Sequence, residues 1–337
     1  MCIRDSPLPN LYVKKEGELR TTSDGQKIKV ASSNTIYASY SFKYFDRAKG
    51  VSAYSFMDER YIPFYSTIIN ASEREAIYVL DGLLHNQAIR STLHVTDTHG
   101  FSEALFGLMD ILGFGFSPTI ARLFEQKLSG FEKKRTYQNR NYPILPHGYV
   151  QGKKVEQNWD QMLRLACSLK LKYCTASQLF KRLNSYSRQH PLYAALKEYG
   201  RMPKTIHILR YINELELRQE NRELRNDAEL NNRFSDAVFF ANGGEMIFLT
   251  RKQQLIAEAC KALIKSAIVC WNYLYLTKSI QRVPSEQTKQ QLVKAILNAT
   301  PIAWRHIHFS GQYDFSDDKI ADSHKILDLQ NFELRLA

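Results

Sequence analysis

One carboxylate in this chain stands where chemistry is often done. The stretch from Ser91 to Leu112 reads STLHVTDTHGFSEALFGLMDIL, and in it Leu93 and Val95 alternate with Thr92, His94 and Thr96. That period of two is the pattern of a half-buried strand, and it delivers Asp97 at the strand's C-terminal end. Thr98-His99-Gly100 breaks the alternation. From Ala104 the apolar spacing (Ala104, Leu105, Leu108, Met109, Leu112) becomes helical, with Gly113 placed as a C-cap. In open α/β sheets ligands and metals collect in the crevice beyond the strand ends, so a carboxylate at such a switch can hold a cation. The same residue also suits an ordinary turn, bonded to its own backbone, and the spacing alone does not separate the two readings.

Other residue types give little chemistry. The sequence holds nine histidines; His306 and His308 lie two apart, and His94 and His99 flank Asp97, but no pair has the His-x-x-x-His spacing of a helical metal site. Structural or surface roles are expected for most of them. No Ser-His-Asp or Cys-His arrangement is recognisable. The five cysteines, Cys2, Cys167, Cys174, Cys260 and Cys270, are odd in number and form no Cys-x-x-Cys pair, which fits reduced thiols in a cytoplasmic protein. Trp159, Trp271 and Trp304 fall in helical apolar patterns and are expected in the core.

The elements around Asp97 follow from patterning. At 337 residues and 44% hydrophobic content the chain can bury a large core. Its longest apolar stretches are cut by Asp110 and Lys265, so no membrane span is expected, and no secretory leader is recognisable. The opening MCIRDSP carries no pattern and resembles translated adapter sequence; residues 1–17 are read as a poorly patterned leader of a truncated reading frame. Glu18 to Ser32 is extended but interrupted by Asp24-Gly25. Asp-Gly is an ordinary hairpin signal, and a glycine within a strand also marks a bulge or a close backbone approach; the hairpin is the plainer reading. Gly50 to Met57 and Tyr61 to Ile69 alternate as two strands about the polar Asp58-Glu59-Arg60, with Pro63 pointing to an edge. Ser72-Glu73-Arg74-Glu75 reads as a capping box opening a helix with Ala76, Val79, Leu80 and Leu83 on its apolar stripe. A short strand is expected near Phe114 to Ser117.

Beyond Leu128 the composition changes. Residues 131–210 hold 16 Lys and Arg against 4 Asp and Glu, a net of +12 that equals the charge of the whole chain. Interleaved with Tyr137, Tyr142, Tyr149 and Trp159, this block has the make-up of a nucleic-acid phosphate track, and equally of a solvated helical face. Helical spacing runs from Trp159 through Leu217, with a second capping box at Thr175-Ala176-Ser177-Gln178. A helix-compatible run to Phe240, a Gly243-Gly244 break and a long helix from about Arg251 to Ile280 follow. That helix carries Leu255, Ile256, Ala259, Leu263, Ala267, Trp271 and Tyr275 on one side. The organisation expected is an α/β core over 18–128, a basic all-helical insertion over 129–225, completion of the core with C-terminal helices over 226–325, and a tail over 326–337.

The order of short motifs is recognisable. Ser23-Asp24-Gly25-Gln26, Tyr78-Val79-Leu80-Asp81, Thr96-Asp97-Thr98-His99-Gly100 and Leu112-Gly113-Phe114-Gly115-Phe116-Ser117-Pro118 resemble the catalytic region of replicative transposases of the Tn-3 (transposon three) family. Thr175-Ala176-Ser177, Ala237-Val238-Phe239-Phe240, Trp271-Asn272, Trp304-Arg305-His306-Ile307 and Gly311-Gln312-Tyr313 continue the resemblance in order. It implies an RNase H-like mixed sheet flanked by helices, carrying a triad of two aspartates and a glutamate that holds divalent Mg2+ or Mn2+, two ions in all. By local motif the aspartates are Asp24 and Asp97. The glutamate is Glu229, eleven residues before the last Phe of Ala-Val-Phe-Phe, in an acid-rich stretch that composition alone would read as solvated helix surface.

The implied function is metal-dependent cleavage and transfer of DNA strands in replicative transposition. Its partners would be the transposon's inverted-repeat ends and target DNA, with a homo-oligomer in the full-length protein and a bacterial cytoplasmic, nucleoid-associated location. Lys133, Lys134 and Arg135 of the basic block, and His99 beside Asp97, are the candidate DNA contacts. Family members are longer, and their N-terminal parts recognise the repeat ends, so a catalytically inactive DNA-binding remnant is the alternative expectation.

Overall fold

The computed structural model describes residues 12–31, 35, 37–86, 89–186, 190–312, 314 and 316–318. The first eleven residues of the expected leader, Tyr313 of the last motif and the tail over 326–337 lie outside them. In chain order the elements begin with β1 (Arg20–Lys29), β2 (Ser39–Tyr40), α1 (Phe42–Phe45), β3 (Lys49–Asp58), β4 (Pro63–Asn70) and α2 (Val79–His85). Next come β5 (Leu93–Thr96), α3 (Glu103–Leu112), β6 (Gly115–Phe116), β7 (Ser129–Gly130), α4 (Lys134–Asn139) and β8 (Gly148–Tyr149). The rest is helical: α5 (Gly152–Glu156), α6 (Trp159–Lys170), α7 (Ala176–Asn184), α8 (Pro191–Asn213), α9 (Leu215–Val238), α10 (Arg251–Gln281) and α11 (Glu286–Leu297). This is the mixed α/β class expected. The chain divides into two compact units, one of Arg20–Gly25 with Glu73–Asn226, the other of Gln26–Ser72 with 12–19 and the residues from 227 on.

In the first unit Arg20 to Ser23 of β1 pair in parallel with Leu93 to Thr96 of β5, and β5 pairs in parallel with β6. Asp24-Gly25 is therefore not the hairpin turn that the dipeptide suggests. It lies inside one continuous ten-residue strand, where Asp24 Oδ1 accepts the Gly25 N–H at 2.8 Å and Gly25 keeps a negative φ. The capping box expected at Ser72 does not form either. A 3-10 turn over Glu75–Ile77 precedes α2 and has no side-chain cap, and Glu73 is engaged by the Lys181 ammonium and the Tyr78 hydroxyl instead. The box at Thr175 does form, reciprocally with Gln178, and the buried Asp81 of α2 accepts the Ser177 N–H at 3.2 Å within the same first turn of α7. The segment expected to be all-helical also holds a two-residue parallel pair, β7 with β8.

Helix α3 forms as its sequence dictates. Ser102 accepts the Leu105 N–H at 3.2 Å as N-cap, Gly113 takes φ +80° as C-cap, and Ala104, Leu105, Phe106, Leu108 and Met109 are buried. It packs on α8 closely enough that a methyl at Gly107 would lie 2.9 Å from the Leu196 carbonyl oxygen, and one at Gly200 only 1.7 Å from the Glu103 carbonyl oxygen. The first half of α9 is bonded to the parallel strands by two buried contacts. Arg20 and Glu220 form an ion pair at 2.8 Å, and Asn221 donates to the Ser117 carbonyl and meets its hydroxyl.

In the second unit β3 pairs antiparallel with β4 and β2 and also lies beside β1, with a register shift at Phe56/Met57 opposite Pro63. Among the described residues β4 is hydrogen-bonded to β3 alone, the edge position that Pro63 predicts. The polar link between these strands is buried: Asp58 receives the Arg60 guanidinium at 2.6 and 2.9 Å and the backbone N–H groups of Arg60 and Ile62. Burial pushes the Asp58 carboxyl up, against the opposing pull of Arg60.

Helix α10 turns much of its apolar side outward. Ile256, Leu263 and Tyr275 are 55%, 71% and 58% exposed, whereas Gln254, Glu258, Lys261, Lys265, Asn272 and Thr277 are buried. The inner face meets polar partners. Lys261 pairs with Glu258 at 2.6 Å and reaches Gln26 of β1, and Lys265 donates to the Ser235 hydroxyl of α9 at 2.6 Å. Burial brings the Lys265 ammonium down to about 7. Trp304 stacks on the buried Phe234, as a core tryptophan should, but Trp159 is at the surface and Trp271 lines a cavity of about 430 Å³ with Tyr275 and His306. Among the described residues the four cysteines are free thiols, and no helix is long and apolar enough to cross a membrane.

The α3–α8 contact yields a test with two opposing signs. In an unpacked helix Gly→Ala stabilises by about 1 kcal/mol. At Gly200 overpacking against the Glu103 backbone should win, and Gly200→Ala should lose roughly 1–3 kcal/mol. The urea unfolding midpoint measures this, and a midpoint above that of the wild type would refute the close approach.

Candidate active site

The site is built by strand register. Ser23 and Thr96 are the last paired residues of the parallel β1–β5 ladder, so Asp24, inside β1, and Asp97, just past β5, stand at the same level where that pairing stops. Both are half-buried. On the same strand face stand Thr22 and Val95; on the opposite face His94 bridges the strands, with Nδ1 2.8 Å from the Thr21 hydroxyl and Nε2 2.9 Å from the Ser23 hydroxyl. His94 is fully buried, and burial drives its imidazole down to about 3, so the ring is neutral and pins β1 to β5 without a charge.

Each aspartate is steered by backbone. Asp24 Oδ1 accepts the Gly25 N–H, and Asp97 Oδ1 accepts the His99 N–H at 2.9 Å, closing the Thr98-His99-Gly100 turn. The turn reading and the ligand reading of Asp97 are thus compatible, since the bond to the turn sets the carboxylate's direction. Glu75, buried at the head of the 3-10 turn, joins them: one carboxylate oxygen from each of Asp24, Glu75 and Asp97 lies within 4.8 Å of the others. Three like charges at that spacing repel by roughly 3 kcal/mol per pair at an effective dielectric of ~20. The donor set, all hard carboxylate oxygens from separate elements, fits a divalent cation such as Mg2+ or Mn2+.

Glu229 is not a member of this group. It is an exposed residue of α9 and belongs to the second unit. Lys133, Lys134 and Arg135 are exposed at the start of α4, and the His99 ring is exposed beside Asp97. Glu75 carries no site signal in the sequence, because Ser-x-x-Glu before an apolar stripe reads as a helix cap; burial is the missing signal.

These features have counterparts among known proteins. A family model described as the Tn3 transposase DDE domain matches residues 2–313. The chain belongs to this family. It is 32% identical over 311 residues to the transposase for transposon Tn1546 of Enterococcus faecium, covering 92% of this chain and 31% of that protein. The transposase for transposon Tn3926 of Escherichia coli is 34% identical over 295 residues, and that for transposon Tn501 of Pseudomonas aeruginosa 35% over 294, each match covering 87% of this chain and 29% of the relative. The chain therefore spans about a third of the length of these curated relatives. Membership in a DDE family implies use of a divalent metal, and the Asp24–Glu75–Asp97 group supplies oxygen donors for one.

The His94 pin sets a pH dependence. Its folded pKa of about 3 lies below the ordinary 6.5, so between those values the unfolded chain binds a proton that the folded chain does not. Stability should therefore fall as pH drops from about 6.5 toward 3, by up to about 1.4 kcal/mol per unit. His94→Gln should be less stable than the wild type at pH 7.5, with the gap narrowing at pH 5 in urea titrations; a constant gap would show that the imidazole is not held neutral.

Proposed function

We infer that this chain is the catalytic part of a transposase, a polynucleotidyl transferase that cuts and joins DNA strands by in-line displacement at phosphorus. The observation that carries the reading is the pair of carboxylates, Asp24 and Asp97, just past the last paired residues of two neighbouring parallel strands in a chain of the DDE family. Parallel strands β1, β5 and β6 beside α-helices support an RNase H-like core for this region. In the first step water's oxygen bonds to phosphorus and gives up a proton while the bond to the 3′ oxygen breaks, leaving a 3′-hydroxyl. In the second, that hydroxyl attacks a target phosphodiester in the same way. Bound Mg2+ or Mn2+ ions supply the positive charge that favours ionisation of the attacking group and offsets charge on the leaving oxygen. The protein's part is to present carboxylates whose directions are already fixed by the Gly25 and His99 N–H groups.

Glu229 is the glutamate proposed for the triad. Its place eleven residues before the last Phe of Ala-Val-Phe-Phe supports this. The basic surface around Lys133, Lys134 and Arg135, with Phe131, Tyr142 and Tyr149 also exposed, would grip DNA phosphates without reading sequence. The exposed His99 ring is a further phosphate contact in this reading. Inverted-repeat ends and target DNA are its partners.

Two measurements test it. Mn2+-dependent nicking of plasmid DNA carrying inverted-repeat ends should fall at least ~100-fold in Asp24→Asn and in Asp97→Asn, since even residues that merely support a metal site cost 10- to 100-fold. Nicking equal to the wild type in both would overturn the assignment. Reversing Lys133, Lys134 and Arg135 to Glu should weaken DNA binding and flatten the plot of log affinity against log salt, by about one unit of slope for each phosphate the protein no longer neutralises.

A further inference from the structure

Glu75 is outside the triad that the family resemblance implies, yet its carboxylate is the one that closes the group with Asp24 and Asp97. Its position is fixed by a well-packed support. Arg74 is extended, the chain turns at once into the 3-10 turn, and the Tyr78 N–H returns to the Glu75 carbonyl at 2.8 Å. Beyond it Val79, Leu80 and Leu83 of α2 are buried, and Asp81 holds the first turn of α7. Glu75 itself is only 8% exposed. A buried carboxylate gathered with two half-buried ones favours a positive group among them.

A second observation points the same way. The Thr22 hydroxyl, 1% exposed and two residues before Asp24 on the same strand face, has no hydrogen-bond partner among the described residues. The Thr119 hydroxyl is likewise buried without a partner, and its own N–H bonds the Thr96 carbonyl at 2.9 Å, beside the point where Asp97 leaves β5. A buried, unmet hydroxyl on the strand face that carries Asp24 suits a hydrated divalent cation, whose water molecules both donate and accept hydrogen bonds.

We propose that Glu75 is a metal-ligating residue of the catalytic site, adding a carboxylate to Asp24 and Asp97 and holding the divalent cation from the side of the 3-10 turn. This rests on the reading of those two aspartates as metal ligands. Divalent magnesium keeps several waters and needs few carboxylates, so one ion can take all three side chains of this group while Glu229 serves elsewhere in the set. Glu75 then has two effects: it raises affinity for the cation, and it destabilises the metal-free protein through like-charge repulsion.

The test is calorimetric titration of Mn2+ into the whole 337-residue chain, with thermal melts in the presence of chelator. Glu75→Gln should bind Mn2+ at least tenfold more weakly than the wild type and melt, metal-free, at or above the wild-type temperature. Glu125→Gln, which removes an exposed carboxylate of the same unit, should bind as the wild type does. Should Glu75→Gln fold poorly, Glu75→Asp keeps the charge and draws it back by one methylene, and weakened binding is expected there too. Wild-type affinity in the Glu75 variants, alongside loss of binding in Asp24→Asn, would overturn the role of Glu75 and leave the triad intact. Wild-type affinity in Asp24→Asn would instead remove the metal site on which the inference rests.

Discussion

The site depends on the register of two short parallel strands that lie far apart in sequence. Only four residue pairs define the β1–β5 ladder, Arg20 with Leu93 through Ser23 with Thr96. A slip of one residue would turn Asp24 to the other face of the sheet while leaving Asp97 where it is, because side chains alternate with a period of two. His94 guards against that slip, since its two ring nitrogens meet Thr21 and Ser23, hydroxyls two residues apart on the partner strand. Burial makes the pin specific. A charged imidazole could not be accommodated there, so the ring must use one nitrogen as donor and the other as acceptor, and both must find a hydroxyl. The Arg20–Glu220 pair fixes the start of the same ladder from the helix side.

A second constraint is the polar interior of the other unit. The middle of α10 presents Glu258, Lys261 and Lys265 to Gln26, Asn231 and Ser235 rather than to solvent, while apolar residues fill the inner face only toward the ends, with Leu255 near Val30 and Met246 and with Val269, Tyr273 and Ile280 near Phe234. A network of this kind contributes little net stability, because desolvation offsets much of the Coulomb gain. What it does contribute is geometry. Each of Gln26, Lys261, Lys265 and Ser235 has one arrangement in which its partners are met, so β1, α9 and α10 are held in one setting in a way that apolar packing, tolerant of sliding, would not enforce.

What the sequence discloses, and what it hides, follow from the same physics. The alternation around Val95 and the switch to helical spacing at Ala104 locate Asp97 just past a strand and Gly113 as a helix C-cap, because each is a local pattern. Asp24 is visible as a residue, but its local signal is that of a turn: the strand that pairs with it begins some seventy positions later, and a parallel partner leaves no local trace. Glu75 is hidden for the opposite reason. Ser-Glu-Arg-Glu carries a strong local signal for a cap, and tertiary burial overrides it. For α10 the period shows two faces but not which one is inward. An apolar stripe faces the core only when the opposing surface is apolar, and here that surface is Gln26, Asn231 and Ser235. The Tn3 family resemblance of the short motifs is legible throughout, whereas the burial that brings Glu75 to the aspartates is not.

The carboxylates come from the middle of β1, a 3-10 turn and the end of β5, and this dispersal has a thermodynamic consequence. No pair of them is within local reach in the unfolded chain, where the charges are solvated and their repulsion is weak. Folding gathers them, so the repulsion falls entirely on the folded state, and a cation that relieves it binds the folded chain in preference to the unfolded one. The elements that hold the acids must therefore be stable without the metal. The buried faces of α2 and α3 and the His94 pin provide that stability from positions outside the carboxylate group. Affinity for metal and rigidity of the scaffold are in this way two views of one arrangement: the more firmly the register is held, the more of the repulsion remains for a divalent ion to remove.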